Sequence, residues 1–159
     1  MDYLWSPWRY RYIASEKKDD RCVFCEAAAA NDDAATLVVF RGEKNFIILN
    51  RYPYTSGHVM VVPYAHMAEL SSAPADTLAE MMRLAQRAQT ALEKTYHPEG
   101  YNIGMNLGRA AGAGIVGHFH LHVLPRWAGD ANFMTVVGET RVEPEELATT
   151  YERLRRALS

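Results

Sequence analysis

An α+β fold, a five-stranded and mostly antiparallel sheet with a long helix packed on it and a second helix at the C-terminus, is what the 159-residue sequence predicts. Three observations carry this. Five short runs rich in Val, Ile, Leu and Phe are bounded by turn residues, which is the pattern of strands. One segment, residues 74–96, repeats its apolar residues at helical spacing. The last of the five runs, H-F-H-L-H-V-L-P, alternates strictly, as a strand with two unlike faces must.

The chain opens with an aromatic and basic stretch (Trp5, Trp8, Arg9, Tyr10, Arg11, Tyr12) that passes into E-K-K-D-D. It reads as an arm, residues 1–21, that packs on something before a solvated turn. C-V-F-C follows at 22–25, then the alanine-rich E-A-A-A-A-N-D-D-A-A, a short helical turn ending in polar residues. L-V-V-F (37–40) and F-I-I-L (46–49), joined by R-G-E-K-N, form a hairpin. H-V-M-V-V-P (58–63) makes a third strand after the turn-rich Y-P-Y-T-S-G. In the long helix Leu78, Met81, Met82, Ala85, Ala88 and Leu92 form the stripe expected to face the core. Pro74 and Asp76 signal its start, Pro98 and Gly100 its end. Y-N-I-G-M-N (101–106) is the fourth strand and 118–125 the fifth, with the glycine-rich L-G-R-A-A-G-A-G-I-V-G between them. An amphipathic helix closes the chain from about Pro144 to Leu158. No repeat or linker divides the sequence, so residues 1–159 are expected to form one domain.

Composition narrows the function. The chain is 48% hydrophobic and 23% charged, an ordinary globular balance, and its formal net charge of −2 argues against a binder of nucleic-acid polymers. A nucleotide site, if present, must be local. No stretch nears the roughly 20 apolar residues that span a bilayer, and the N-terminus lacks the apolar core of a signal peptide. Two cysteines three positions apart make a poor staple for a secreted domain. A cytoplasmic location is the resulting expectation.

The alternating run holds the chemistry. On a strand His118, His120 and His122 share one face, with neighbouring rings about 7 Å apart, while Phe119, Leu121 and Val123 take the apolar face. A single histidine is usually a satisfied polar residue. Three in alternation after a glycine-rich loop point to a reactive wall.

H-F-H-L-H-V-L resembles the signature of the histidine triad (HIT) family, in which three histidines alternate with apolar residues. N-R-Y-P-Y-T-S-G-H-V-M-V-V-P and N-L-G-x-x-A-G resemble further segments of that family, so the likeness runs from about residue 3 to 137. L-W-S-P-W-R and P-R-W-A-G-D-A-N-F are similar to the bacterial branch that acts on diadenosine tetraphosphate as a phosphorylase or ATP adenylyltransferase. The resemblance implies a HIT-like fold and a homodimer formed through the long helix and an edge strand.

It also implies a mechanism. His120 falls at the nucleophile, whose unprotonated nitrogen attacks a nucleotide phosphorus and forms a covalent nucleotidyl-histidine. His122 falls beside the leaving oxygen, and His58 at a further histidine near the active strand. Asn50 matches a ribose-binding position and Asn106 one that reaches the phosphates. Backbone N–H groups at Gly108, Gly112 and Gly114 can cradle phosphate oxygens. Arg109 can add charge there or lie solvated at the surface. Phe46 and Ile48 can line a base pocket or simply pack in the core, and Trp127 can stack on adenine. Two positions depart from the family pattern: Gly114 stands where relatives commonly carry Gln or Ser, and Gly117 where some phosphorylase relatives carry an acidic residue. Mg²⁺ or Mn²⁺ accompanying the polyphosphate is a further expectation.

The C-x-x-C pair is by itself a redox pair, half a metal site or two buried thiols. A redox pair usually opens a helix after a strand, and no strand precedes Cys22 here. Bacterial relatives join such cysteines to the histidine of P-x-x-H-x-x-x-L and to the first triad histidine. The resemblance thus implies structural Zn²⁺ held by Cys22, Cys25, His66 and His118. Three functions compete: cleavage of dinucleoside polyphosphates by phosphate or by water, hydrolysis of nucleoside phosphoramidates, and a zinc-stabilised nucleotide-binding or sensing module. An intact triad disfavours the last, because a binder needs no nucleophile. A thioredoxin-like oxidoreductase would leave the three histidines unexplained.

Overall fold

The computed structural model describes residues 21–130 and 145–159. The expected N-terminal arm, except Arg21, and the expected helix start at Pro144 lie outside the described residues.

In chain order the elements are α1 (Val23–Ala29), α2 (Asp33–Thr36), β1 (Val38–Arg41), β2 (Asn45–Leu49), β3 (Val59–Pro63), α3 (Ala75–Tyr96), β4 (Gly100–Gly104), β5 (Leu121–Arg126) and α4 (Leu147–Leu158), with single 3₁₀ turns at Leu70–Ser72 and Arg109–Ala111. The strands form one antiparallel sheet ordered β1-β2-β3-β5-β4. This is the expected α+β class. The alanine-rich stretch begins its helix earlier than its composition suggests, at the C-x-x-C itself, with Cys22 as the residue capping α1.

Period-two burial gives each face of the sheet its own core. Val39, Ile47, Leu49, Val59, Val61, Phe119, Leu121 and Val123 meet α3 and α4 on one face. Phe46, Ile48, Met60, Val62 and Val38 meet Phe24 and Ala27 of α1 on the other. The α3 stripe consists of Met81, Leu84, Ala85, Ala88, Ala91 and Leu92. Met82, expected in the stripe, is 53% exposed, because Met81 and Leu84 already fill that turn's inward positions.

Two tertiary contacts lock the framework that carries the site. Glu80 of α3 accepts hydrogen bonds from the backbone N–H of Glu43 (2.7 Å) and Lys44 (2.8 Å) and from Asn45 Nδ2 (2.7 Å), clamping the β1–β2 turn. Burial alone would push its carboxyl up, but these donors hold it below its ordinary value. On the other side Gly57 has φ +80°, and a Cβ there would lie 2.8 Å from Leu92 Cδ2 of α3. Only glycine lets the turn before β3 lie this close to the helix.

Candidate active site and metal centre

β5 starts at Leu121, so of the three alternating histidines only His122 lies in the ladder, paired with Met60 on β3 and with Gly104 on β4. The expected strand start at His118 is corrected by a tertiary bond: the Phe119 N–H donates to Met67 O (2.8 Å) rather than to a neighbouring strand. The expected alternation of faces holds, since Phe119, Leu121 and Val123 enter the helix-side core. The spacing does not. The ring centroids of His120 and His122 lie 4.8 Å apart in an edge-on arrangement, and His118 instead meets His66 at 5.1 Å. The triad is thus split between two centres.

Hydrogen-bond directions fix the tautomers. A carbonyl only accepts, so His120 Nδ1, 3.0 Å from His118 O, carries the proton and leaves the Nε2 lone pair for chemistry. A main-chain N–H only donates. His58 Nδ1, which receives Tyr54 N–H (3.2 Å) and lies 3.3 Å from Asn50 Nδ2, is therefore an acceptor. The neutral His58 ring then bears its proton on Nε2 and gives it to His122 Nδ1 at 2.9 Å. His122 in turn keeps its own proton on Nε2. The pair places an unprotonated base (His120) beside an N–H donor (His122).

Burial reinforces neutrality. His118, His120 and His122 are 0%, 5% and 9% exposed. Desolvation lowers the pKa of all three, that of His122 to about 4, with the neighbouring His120 adding to the effect. A buried neutral imidazole is the form that attacks phosphorus.

The surroundings differ in part from expectation. Asn50 lies against His58, and its Oδ1 accepts Tyr52 N–H (3.0 Å), which sets the amide's orientation. Phe46 has no exposed surface, being packed inside the α1-side core with its ring 5.3 Å from Tyr64. The packing supports its reading as core rather than as base pocket. Ile48 belongs to the same cluster but keeps a little surface. In the glycine loop the Gly112 N–H is already donated to Arg109 O (2.9 Å), closing the 3₁₀ turn, so this expected phosphate donor is taken. Gly108 and Gly114 are exposed and their N–H groups make no backbone bond among the described residues. Asn106 and Trp127 are half-buried, and Arg109 is exposed. Three contributors escape a reading by motif. They are Tyr54, whose N–H orders the histidine pair; Phe24, whose ring touches two triad histidines; and Gly104, which faces His122 across the ladder without a side chain.

The second centre gathers Cys22, Cys25, His66 and His118, whose ligand atoms all lie within 4.8 Å of one another. His118 Nδ1 is 3.3 Å from Cys22 Sγ and 3.7 Å from Cys25 Sγ, and His66 Nδ1 is 3.3 Å from Cys25 Sγ. A tetrahedron of two sulfurs and two nitrogens around zinc has edges of about 3.3–3.8 Å. His118 Nε2 donates to Pro63 O at 2.8 Å, which turns its Nδ1 lone pair toward the thiols, the usual outer support of a metal-bound histidine. Donor chemistry fits Zn²⁺, and the three sulfur–nitrogen separations match its tetrahedral edges. Four protein ligands would leave it no open position, so it would contribute folding energy and not a catalytic water.

The chain is similar in sequence and fold to known proteins. A family model described as "HIT domain" matches residues 31–129. The chain is 40% identical over 158 residues to "AP-4-A phosphorylase" of Mycobacterium tuberculosis, covering 94% of this chain and 80% of that protein. A crystal structure of a zinc-bound histidine triad family protein from Mycobacterium smegmatis superposes with TM-score 0.71 at 34% identity, covering 87% of this chain and 94% of that one. A hypothetical histidine triad nucleotide-binding protein from Sulfolobus tokodaii gives TM-score 0.68 at 27% identity, covering 86% and 91%.

Proposed function

The chain belongs to the HIT family, and on that premise we propose that it cleaves dinucleoside polyphosphates, taking diadenosine tetraphosphate plus phosphate to ADP plus ATP through a nucleotidyl-histidine on His120. Its class is that of a HIT-family nucleotidyltransferase or hydrolase. One observation carries the mechanism: His120 Nδ1 is bonded to a carbonyl that can only accept, so Nε2 holds the reactive lone pair.

In the proposed reaction Nε2 bonds to the α-phosphorus while the P–O bond to the departing ATP breaks. The positive charge that develops on the ring is stabilised at Nδ1 by the His118 carbonyl. The His122 Nε2–H donates a hydrogen bond to the leaving oxygen, stabilising the negative charge with which ATP departs. A phosphate oxygen then attacks the same phosphorus, the P–N bond breaks with its electron pair returning to His120 Nε2, and ADP and neutral His120 are released as the phosphate's proton passes to solvent. Water in place of phosphate would give AMP.

Asn50 and Ile48 are proposed on the nucleoside side, Asn106, Gly108 and Gly114 on the phosphates, and Trp127 at the base. One structural Zn²⁺ per chain is proposed at Cys22, Cys25, His66 and His118, supported by the donor spacing and by the zinc-bound relative. No helix among the described residues is long and apolar enough to cross a membrane. A cytoplasmic, single-domain homodimer belongs to the same proposal. The sheet-edge position of β4 with its exposed Ile103 favours the dimer, and light scattering would test it.

Product analysis tests the reaction. Diadenosine tetraphosphate is incubated with and without phosphate, each with and without Mg²⁺ or Mn²⁺, and ADP, AMP and ATP are resolved. Phosphate-dependent ADP is the expected outcome. AMP formed without phosphate would make the enzyme a hydrolase, and tight binding without turnover would leave only a sensor.

A further inference from the structure

The geometry points to Phe24 as a positioning residue that couples the cysteine–histidine centre to the nucleophile. Its ring stands against both histidines, 5.4 Å from His118 at an interplanar angle of 79° and 4.9 Å from His120 at 59°. No direct ring contact joins His118 to His120 among the described residues. Besides the bond from His120 Nδ1 to the His118 main-chain carbonyl, the Phe24 ring is the side-chain link between them.

The sequence places Phe24 between the two thiols. Cys22 caps α1 and Cys25 lies in its first turn, so holding both sulfurs holds the one turn that aims Phe24 inward. His118 is braced independently, by Pro63 O at Nε2 and by the sulfurs at Nδ1. His120 touches Phe24 and, through its other ring contact, His122 at 4.8 Å. The far end of α1 is secured separately, because the Arg41 guanidinium donates to the carbonyls of Ala27, Ala28 and Ala30. Loss of a metal would therefore loosen the turn bearing Phe24 while the rest of α1 stays docked, and the displacement would reach His120.

This inference rests on His120 being the nucleophile. A shift of about 1 Å at a reacting group costs on the order of 100-fold in rate. The test compares wild type with Phe24→Ala and Phe24→Leu, each loaded with zinc and stripped by a chelator. Three quantities are read: zinc content, kcat and KM on diadenosine tetraphosphate, and the ¹H–¹⁵N signals of the His120 ring.

In wild type, stripping should shift the His120 signals and lower kcat. Zinc-loaded Phe24→Ala should keep close to one zinc per chain and lose about 10- to 100-fold in kcat with little change in KM. Its His120 signals should respond far less to stripping, keeping only what the His118 carbonyl transmits. Phe24→Leu, which keeps apolar bulk, should show the same uncoupling in weaker form. A Phe24→Ala protein with wild-type kcat, or with a His120 spectrum as zinc-sensitive as wild type, overturns the proposal. So does a wild-type spectrum indifferent to zinc, or loss of zinc from both variants, since the ring would then serve only the metal site. The spectra need no turnover, so they decide the coupling even if diadenosine tetraphosphate proves not to be the substrate.

Discussion

His58 Nε2 lies 2.9 Å from His122 Nδ1, and this one contact sets where the proton sits on both rings. Its direction originates in the main chain, at the Tyr54 N–H that His58 Nδ1 accepts. Replacing His58 with Ala leaves His122 Nδ1 buried without its donor, which costs about 1–3 kcal/mol of stability. The His122 ring then has no reason to prefer the tautomer with its proton on Nε2. His58→Gln restores an N–H donor of similar reach. We expect His58→Ala to lose about 10- to 100-fold in kcat and His58→Gln to recover part of it. Ring ¹⁵N shifts of His122 should report the tautomer change, and an unchanged tautomer in His58→Ala would sink this account.

Replacement of His120 should separate binding from chemistry. His120→Asn retains a polar side chain but has no imidazole nitrogen to form a P–N bond. Turnover should fall by at least about 1,000-fold while nucleotide affinity changes by less than about tenfold. Equilibrium dialysis and quenched-flow trapping of the adduct check the two halves. An adduct still formed by His120→Asn would move the nucleophile elsewhere.

The sequence displays the site's ingredients more clearly than their arrangement. The alternation from His118 to Val123 gives the correct faces, because strand geometry depends only on local backbone. The splitting of the triad is hidden, because it follows from Phe119 bonding Met67 and His118 bonding Pro63, partners about 50 residues away. The same holds for Met82, whose exposure depends on which side of α3 the sheet occupies. Phe24 carries no signal of its own within C-V-F-C, because its histidine contacts exist only once α1 is docked. The loop glycines mark flexibility, but not that Gly112 spends its N–H on the loop's own turn.

Acid should weaken the fold through His122. Its folded value is lowered by burial to about 4 against an ordinary 6.5, so between these pH values the unfolded chain takes up a proton that the native ring refuses. The stabilisation is complete above pH 6.5 and is lost as pH falls toward 4. That gap corresponds to about 3 kcal/mol. Urea denaturation between pH 7.5 and 4.5 should show the decline, and His122→Asn should make it shallower, leaving the share of His118 and His120. Equal pH dependence in the two proteins would contradict the assignment.

Gly57→Ala should destabilise the protein out of proportion to one methyl group. The residue has φ +80°, where an L side chain is strained, and its Cβ would meet Leu92 Cδ2 at 2.8 Å and Tyr96 Cε2 at 3.3 Å. Backbone strain of about 1–2 kcal/mol adds to overpacking of about 1–3 kcal/mol. Because His58 is the next residue, the turn would also move the donor to His122, so kcat should fall as well. A variant within about 0.5 kcal/mol of wild type by urea denaturation would show that the turn relaxes freely.

Removing one ligand of the cysteine–histidine centre should affect metal, stability and chemistry in that order. Cys22 and Cys25 join the chain near residue 22 to His66 after β3 and to His118 before β5, so a metal there ties three segments distant in sequence. Cys22→Ala leaves three ligands, too few for a closed tetrahedral zinc site, and protein purified without a His-tag should fall from about one zinc per chain to near zero. Binding energy that exists only in the folded state is folding energy. A loss of even about 2 kcal/mol lowers Tm by roughly 4–8 °C in a chain of this length. Chelation of wild type should reproduce that loss, and chelation of Cys22→Ala should add nothing to it. Wild-type protein that carries no zinc, with both thiols alkylated under native conditions, would show that these four side chains converge without a metal.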